Sequence, residues 1–205
     1  MILKHKKMNS TVYNIDAQKA AIKAILVANE KKLSPQFIGD FSNQRIKILN
    51  GTPILRKEIK PSMGIQNLID EDTRKVVGVS DFSEKVISNT EVLIIEKLRI
   101  GYCTSLASKA EALGAYKKAL PVAFRNATFR IRQDGDVIYE TGLSDVFNRY
   151  TGTSLEDDYV HLKNPVTLVG GLEIKFELEF GKGAEAHKTE IEYLELGFGG
   201  IKLSR

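Results

Sequence analysis

NATFRIRQDGDVIYE, residues Asn126 to Glu140, decides the fold class of this chain. Phe129 and Ile131 alternate with Thr128, Arg130 and Arg132, a turn follows at Gln133-Asp134-Gly135, and Val137-Ile138-Tyr139 runs back. That pattern is a β-hairpin. A two-residue loop at Asp134-Gly135 would set Ile131 against Ile138 and Phe129 against Glu140, placing a carboxylate on the apolar face. A three-residue loop, with Gly135 left-handed and closing a type I turn and bulge, pairs Phe129 with Tyr139 and Ile131 with Val137. Four apolar side chains then share the core face, and Thr128, Arg130, Arg132 and Ile138 take the other, a basic and accessible surface.

Upstream of the hairpin, Leu106, Ala110 and Leu113 share a face at helical spacing, which predicts a helix over 105–116 capped by Ser105. Before it, EVLIIEKLRIGY (91–102) is an apolar run expected of a strand buried on both faces. Val76 to Val79 is short and β-prone, 61–74 is loop-like with a short helical turn at 65–69, and Asn50-Gly51 predicts a hairpin between 45–48 and 54–59. Downstream, 141–158 is a long polar connection of the kind that forms contact surfaces. Pro165 marks an edge or bent strand across 159–169. Ile174, Phe176, Leu178 and Phe180 point one way and Glu173, Lys175, Glu177 and Glu179 the other, a half-buried antiparallel strand. The apolar phase slips between Tyr193 and Leu194, which predicts a bulge.

The N-terminal segment differs in kind. Lys4, Lys6 and Lys7 surround His5 in an arm without apolar periodicity, and an amphipathic helix follows from Asn14 to about Lys32, ended by Ser34-Pro35. The chain divides into an arm and helix over 1–35 and an antiparallel β-sandwich over 36–205. The expected fold is mainly β, a single jelly roll in preference to other sandwiches, with the N-terminal helix and one inserted helix.

A 205-residue chain that is 42% hydrophobic buries a substantial core, and a net charge of +4 gives only mild attraction to anions. The single Cys103 excludes an internal disulfide and reads as a small buried hydrophobe. No stretch has the length of a membrane span, so the expectation is a soluble protein made in a cytoplasm.

Catalytic templates fail one by one. His5, His161 and His187 lie in an arm, a strand and a turn, without zinc-ligand spacing, and no metal or cofactor is expected. Gly181-Lys182-Gly183 joins two strands instead of opening a helix, so it is a turn and not a phosphate loop. Glu156-Asp157-Asp158 lacks the spacing of a calcium loop. The row Glu173, Glu177 and Glu179, with Glu190 and Glu192, would suit a carbohydrate-active sandwich only if carboxylates converge in a cleft; Glu177 and Glu179 are its best candidates. The basic residues Arg125, Arg130 and Arg132, with Lys4, Lys6 and Lys7, are candidates for contact with nucleic acid or a neighbouring subunit. Phe129 belongs to the core face and is unavailable to stack on bases. The acidic row complements the arginines, either between copies of the chain or within one copy.

The order of elements, with LPVAFRNATFRIRQDGDVIYETGLSDVFNRYTG (120–152), FELEF (176–180) and YLELGFGGIKL (193–203), resembles the jelly-roll capsid proteins of tailless icosahedral bacteriophages. The likeness spans roughly residues 40 to 203 as an ordering of elements, and its length fits one jelly roll and not two. It implies a non-catalytic virion subunit, of shell or vertex, made in the host cytoplasm. Its partners would be copies of itself, other virion proteins and, through the basic arm, packaged nucleic acid. The alternatives are a nucleic-acid-binding module and a carbohydrate-active sandwich.

Overall fold

The computed structural model describes residues 15–147 and 158–205. Helix α1 (Ile15–Ala28) buries Ile22 and Leu26 and runs into a 3-10 turn at Glu30–Lys32. Ser34-Pro35, expected as a stop, begins a second helix, α2 (Pro35–Ser42): Ser34 Oγ accepts a hydrogen bond from the Phe37 amide at 3.2 Å. Pro35 occupies the first turn, where its missing N–H has no helical partner to lose. Ile22 and Leu26 of α1, Leu33 of the link and Phe37 of α2 pack onto Val92, Ile94, Val169, Ile201 and Leu203 of one sheet.

The hairpin expected at Asn50-Gly51 does not form. Strands β1 (Lys47–Gly51) and β2 (Ile54–Ile59) do not pair with each other; both lie along β9 (Ile191–Ser204). Gly51 pairs with Gly200 and Ile54 with Gly197, so the register continues unchanged across Thr52-Pro53. They are one strand interrupted at Pro53, which has no N–H to give to a ladder but whose carbonyl accepts from the Phe198 amide at 2.9 Å. At Gly51 a Cβ would lie 3.1 Å from the Cβ of Lys202, so glycine here serves close strand approach and not a turn.

Where a helical turn was expected, β3 (Ser62–Asn67) is a strand. β4 (Glu91–Ser105) is the long strand buried on both faces. The helix predicted over 105–116 is absent: Ser105 ends β4, and the following loop holds a single 3-10 turn at Glu111–Leu113. Its apolar spacing was misleading, because Ala110 is buried while Leu106 and Leu113 face solvent. The short α3 (Val122–Arg125) leads into β5 (Thr128–Gln133) and β6 (Asp136–Gly142). Then come the short α4 (Leu143–Val146), β7 (Val160–Val169) and β8 (Ile174–Glu185).

The strands form two antiparallel sheets. One has the order β1/β2-β9-β4-β7 and the other β3-β8-β5-β6. With β1 and β2 counted together, the pairing is nested. The first strand pairs with the last, β3 with β8, β4 with β7, and β5 with β6. The β9–β4 and β8–β5 contacts join these pairs into sheets. The sheets face each other across one core, where Phe176 stacks on Phe198 at 4.8 Å between centroids and Phe82 meets both edge-on.

The opening hairpin is built differently from its expected register. Asp134 and Gly135 both have positive φ, 53° and 85°, so the loop has two residues, with Gln133 opposite Asp136 and Arg132 opposite Val137. The extra residue sits one step later: the register shifts between Ile131 and Arg132, bringing Ile131 opposite Tyr139. Displacing the bulge into β6 removes the Phe129–Glu140 conflict, since Phe129 now faces Thr141. Phe129 and Ile131 are fully buried and Tyr139 packs against them, but Val137 is turned out to solvent. Gln133, expected in the turn, is a buried bridge between sheets: its amide donates to the Val169 carbonyl at 2.9 Å and accepts from the Val169 amide at 3.1 Å.

The bulge predicted near Tyr193 is also absent. β9 pairs with β4 in one unbroken register from Leu98↔Phe198 to Ser105↔Ile191. The apolar phase slips because both faces are covered, Leu194 and Leu196 by the core and Tyr193 by the 106–116 loop. The irregularity lies in β4 instead, between Ile95 and Lys97.

Candidate functional site

Alternation puts Arg130 and Arg132 of β5 on the outer face of the second sheet, beside β8, where Arg130 pairs with Glu177 and Thr128 with Glu179 across the ladder. The two rows that complement each other in sequence therefore meet within one chain. Arg130 donates to Glu140 and Glu179, and Arg132 donates from Nε to Glu177 at 2.8 Å and from Nη1 to the Gly135 carbonyl at 3.0 Å. Glu177 is buried under this contact, and Glu173 pairs with Lys175 at 3.7 Å. Hydrogen bonds donated to the carboxylates of Glu140 and Glu179 hold the Arg130 proton more firmly than usual. A face whose guanidinium groups are already engaged offers little to phosphate, and carboxylates tied to arginines across a sheet do not converge in a cleft.

Arg125 stands apart, exposed at the end of α3, with Nε donating to the Leu120 carbonyl at 2.8 Å. Glu192 belongs to β9 of the first sheet and Glu190 to the bend just before it, so neither is on the arginine face. Glu192 is buried, accepting from the Tyr102 hydroxyl at 2.7 Å and from the His187 amide at 2.9 Å. Glu190 takes hydrogen bonds from Thr104 and Lys118, with the Thr104 bond foremost in holding its carboxyl below the usual range. Lys4, Lys6 and Lys7 and the carboxylates Glu156 and Asp157 lie outside the described residues. Among the described residues no three His, Cys, Asp or Glu side chains are grouped to hold a metal ion, and no helix is long and apolar enough to cross a membrane. A groove of about 420 Å³ between the two helices and β1 is lined by Lys19, Lys23, Phe41, Ile46 and Ile48, without a carboxylate.

No protein-family model, curated protein or solved structure matches this chain.

The strongest electrostatic feature was not anticipated from sequence. On the outer face of the first sheet, Glu195 is 3% exposed and is held between two arginines. Arg56 Nε and Arg99 Nη2 approach its carboxylate oxygens at 2.7 and 2.9 Å. Arg56 also lies over the Tyr116 ring at 4.8 Å, and Arg99 and Lys97 lie over Tyr159 at 5.3 and 4.9 Å. The signal was present: each residue interrupts an apolar stretch of β2, β4 or β9. Charges inside strands covered on both faces must find partners there.

Cys103 and three tyrosines near this cluster, and Tyr139 in the second sheet, are shielded. Burial pushes the Cys103 thiol up, as expected of an inert core cysteine. Burial, reinforced by Glu192, raises the Tyr102 phenol, and burial is also the main cause for Tyr116, Tyr139 and Tyr193. A phenol raised in the folded state stabilises fully below its ordinary pKa of about 10 and loses that contribution as pH climbs toward the folded value. Spectrophotometric titration should therefore show these four tyrosines ionising above the range of an ordinary phenol, together with loss of the fold. Four smooth ionisations near the ordinary value, without unfolding, would contradict their shielding.

Proposed function

We propose that this chain is a structural subunit of a virion, in the shell or at a vertex, of the tailless icosahedral bacteriophage type that its sequence resembles. It acts by assembling with copies of itself and with other virion proteins. The observation that carries this reading is the nested strand pairing, first with last and inward to a central hairpin, which divides eight strands between two facing sheets. We infer from it a single jelly roll, the architecture common among viral capsid domains. The pair of helices packed on the outside of one sheet adds an accessory layer to that body.

A nucleic-acid reading loses Arg130 and Arg132 to their internal carboxylates and rests on the arm and Arg125 alone. Retention by phosphate through those cations should fall steeply between low and physiological salt. For the assembly reading, light scattering of the purified chain over a range of concentration, salt and calcium should reveal particles larger than a monomer. Electron microscopy of the same sample should show closed objects. A strictly monomeric chain under every condition would sink it.

A further inference from the structure

Two loops on the outer side of the first sheet expose apolar side chains, uncovered among the described residues. Val76 and Val77 on one are 49% and 99% exposed, and Leu106 and Leu113 on the other are 80% and 88% exposed. The loops abut, since a Cβ placed at Gly78 would lie 3.8 Å from the Cβ of Ala112. Arg56 ties them together: its Nη1 donates to the Gly78 carbonyl at 2.7 Å while its guanidinium covers the Tyr116 ring.

The second loop is held in place from below. The Tyr193 hydroxyl donates to the Ala107 carbonyl at 3.0 Å and accepts from the Ala110 amide at 3.4 Å, and the Tyr116 hydroxyl donates to the Glu111 carbonyl at 2.7 Å. Ala110, Cys103, Tyr116 and Tyr193 form a small core of their own beneath it. Leu106 and Leu113 thus project from an anchored backbone, and the ordering cost of a contact there is largely met in the free chain.

The charges on this loop point to the occupant. Lys109 and Glu111 flank the buried Ala110 between the two leucines, and neither takes part in an ion pair among the described residues. A surface carrying an unpaired lysine and an unpaired glutamate side by side is complementary to itself under a two-fold rotation. Each lysine then meets the other copy's glutamate while the apolar tips close against each other.

We propose that this double loop is a two-fold contact between copies of the chain, an inference that rests on the assembly reading above. Four apolar side chains fall short of the roughly 800 Å² per partner of a standard stable interface. One such contact is weak, and it gains strength when many act together, as in a shell.

Sedimentation of the full chain measures the contact. V77D/L113D, changed at exposed positions and checked for an unaltered thermal midpoint, is expected to weaken self-association by about 100-fold. K109E and E111K should each weaken it by about tenfold or more, by setting like charges opposite one another. An equimolar mixture of K109E and E111K chains should restore it, because the reversed charges again face their opposites. Variants that associate like the wild type would overturn this surface and leave the shell reading standing. A mixture that restores nothing would overturn the two-fold pairing. Co-sedimentation with anionic vesicles that V77D/L113D abolishes, with self-association unchanged, would assign the loops to lipid and overturn the contact. A wild-type chain that never associates would remove the shell reading and this contact with it.

Discussion

Gly200→Ala is expected to destabilise the fold by roughly 3 kcal/mol or more, a cost at the upper end of overpacking effects. Gly200 sits opposite Ile95 in the β9–β4 ladder, just where β4 changes register. A Cβ there would fall 2.0 Å from the Ile94 carbonyl oxygen and 3.0 Å from the Glu96 amide nitrogen. Both neighbours are backbone, so no side chain can swing aside, and the two central strands of the sheet must separate. Gly39, where a Cβ meets nothing within 4 Å, supplies the control. Gly39→Ala, in a helix, should be neutral or mildly stabilising. Urea denaturation of both variants checks the difference, and a Gly200→Ala midpoint within error of the wild type would mean the strands do not approach this closely.

Glu195→Ala is expected to cost about 3–5 kcal/mol, the penalty of leaving buried charge without its counter-ion. Its removal strands two guanidinium groups that are 19% and 15% exposed and that share its two oxygens. The arginines would have to draw in water or an anion, and the sheet would open at its middle. Glu195→Gln keeps the shape and one acceptor and should lose less. Replacing all three residues together by apolar ones of similar volume should recover much of the loss, because desolvation and pairing then disappear at once. Denaturant midpoints of the three variants give the test. If Glu195→Ala proves as mild as an exposed substitution, the triad contributes no more than a surface pair.

The sequence patterns that proved readable are those with one covered face or a continuous apolar run. Ile174 to Phe180 alternates cleanly because its outer side is charged, and 91–102 reads as doubly buried because Val92 to Ile95 is an unbroken apolar run. Patterns failed where a residue type has two uses. Asn50-Gly51 carries the composition of a tight turn, yet Gly51 is there to let a neighbouring strand come close. Ser34-Pro35 stops one helix and starts the next with the same chemistry. Leu106, Ala110 and Leu113 keep helical spacing, but Tyr193, more than 80 residues away in sequence, pins the loop and decides which of them is buried. The charge sites failed for a related reason. Whether Arg130 and Arg132 meet the acidic row within one chain or between copies stayed open because Glu177 and Glu179 lie on β8, which only the nested topology brings alongside, and Glu195 was hidden in what read as an irregular apolar strand.

The nested pairing has a consequence in time. The innermost hairpin, β5 with β6, closes across two residues, whereas the outermost pair joins β1/β2 to β9 across more than a hundred. Loop closure makes such distant pairings late and slow. β9 is also the central strand that both β2 and β4 need, so a growing chain holds one sheet without its middle until residues 191–204 have been made. Until then β4 has an uncovered, largely apolar edge. Half-finished chains meeting one another would do so through that edge, so a slow final strand favours aggregation over folding.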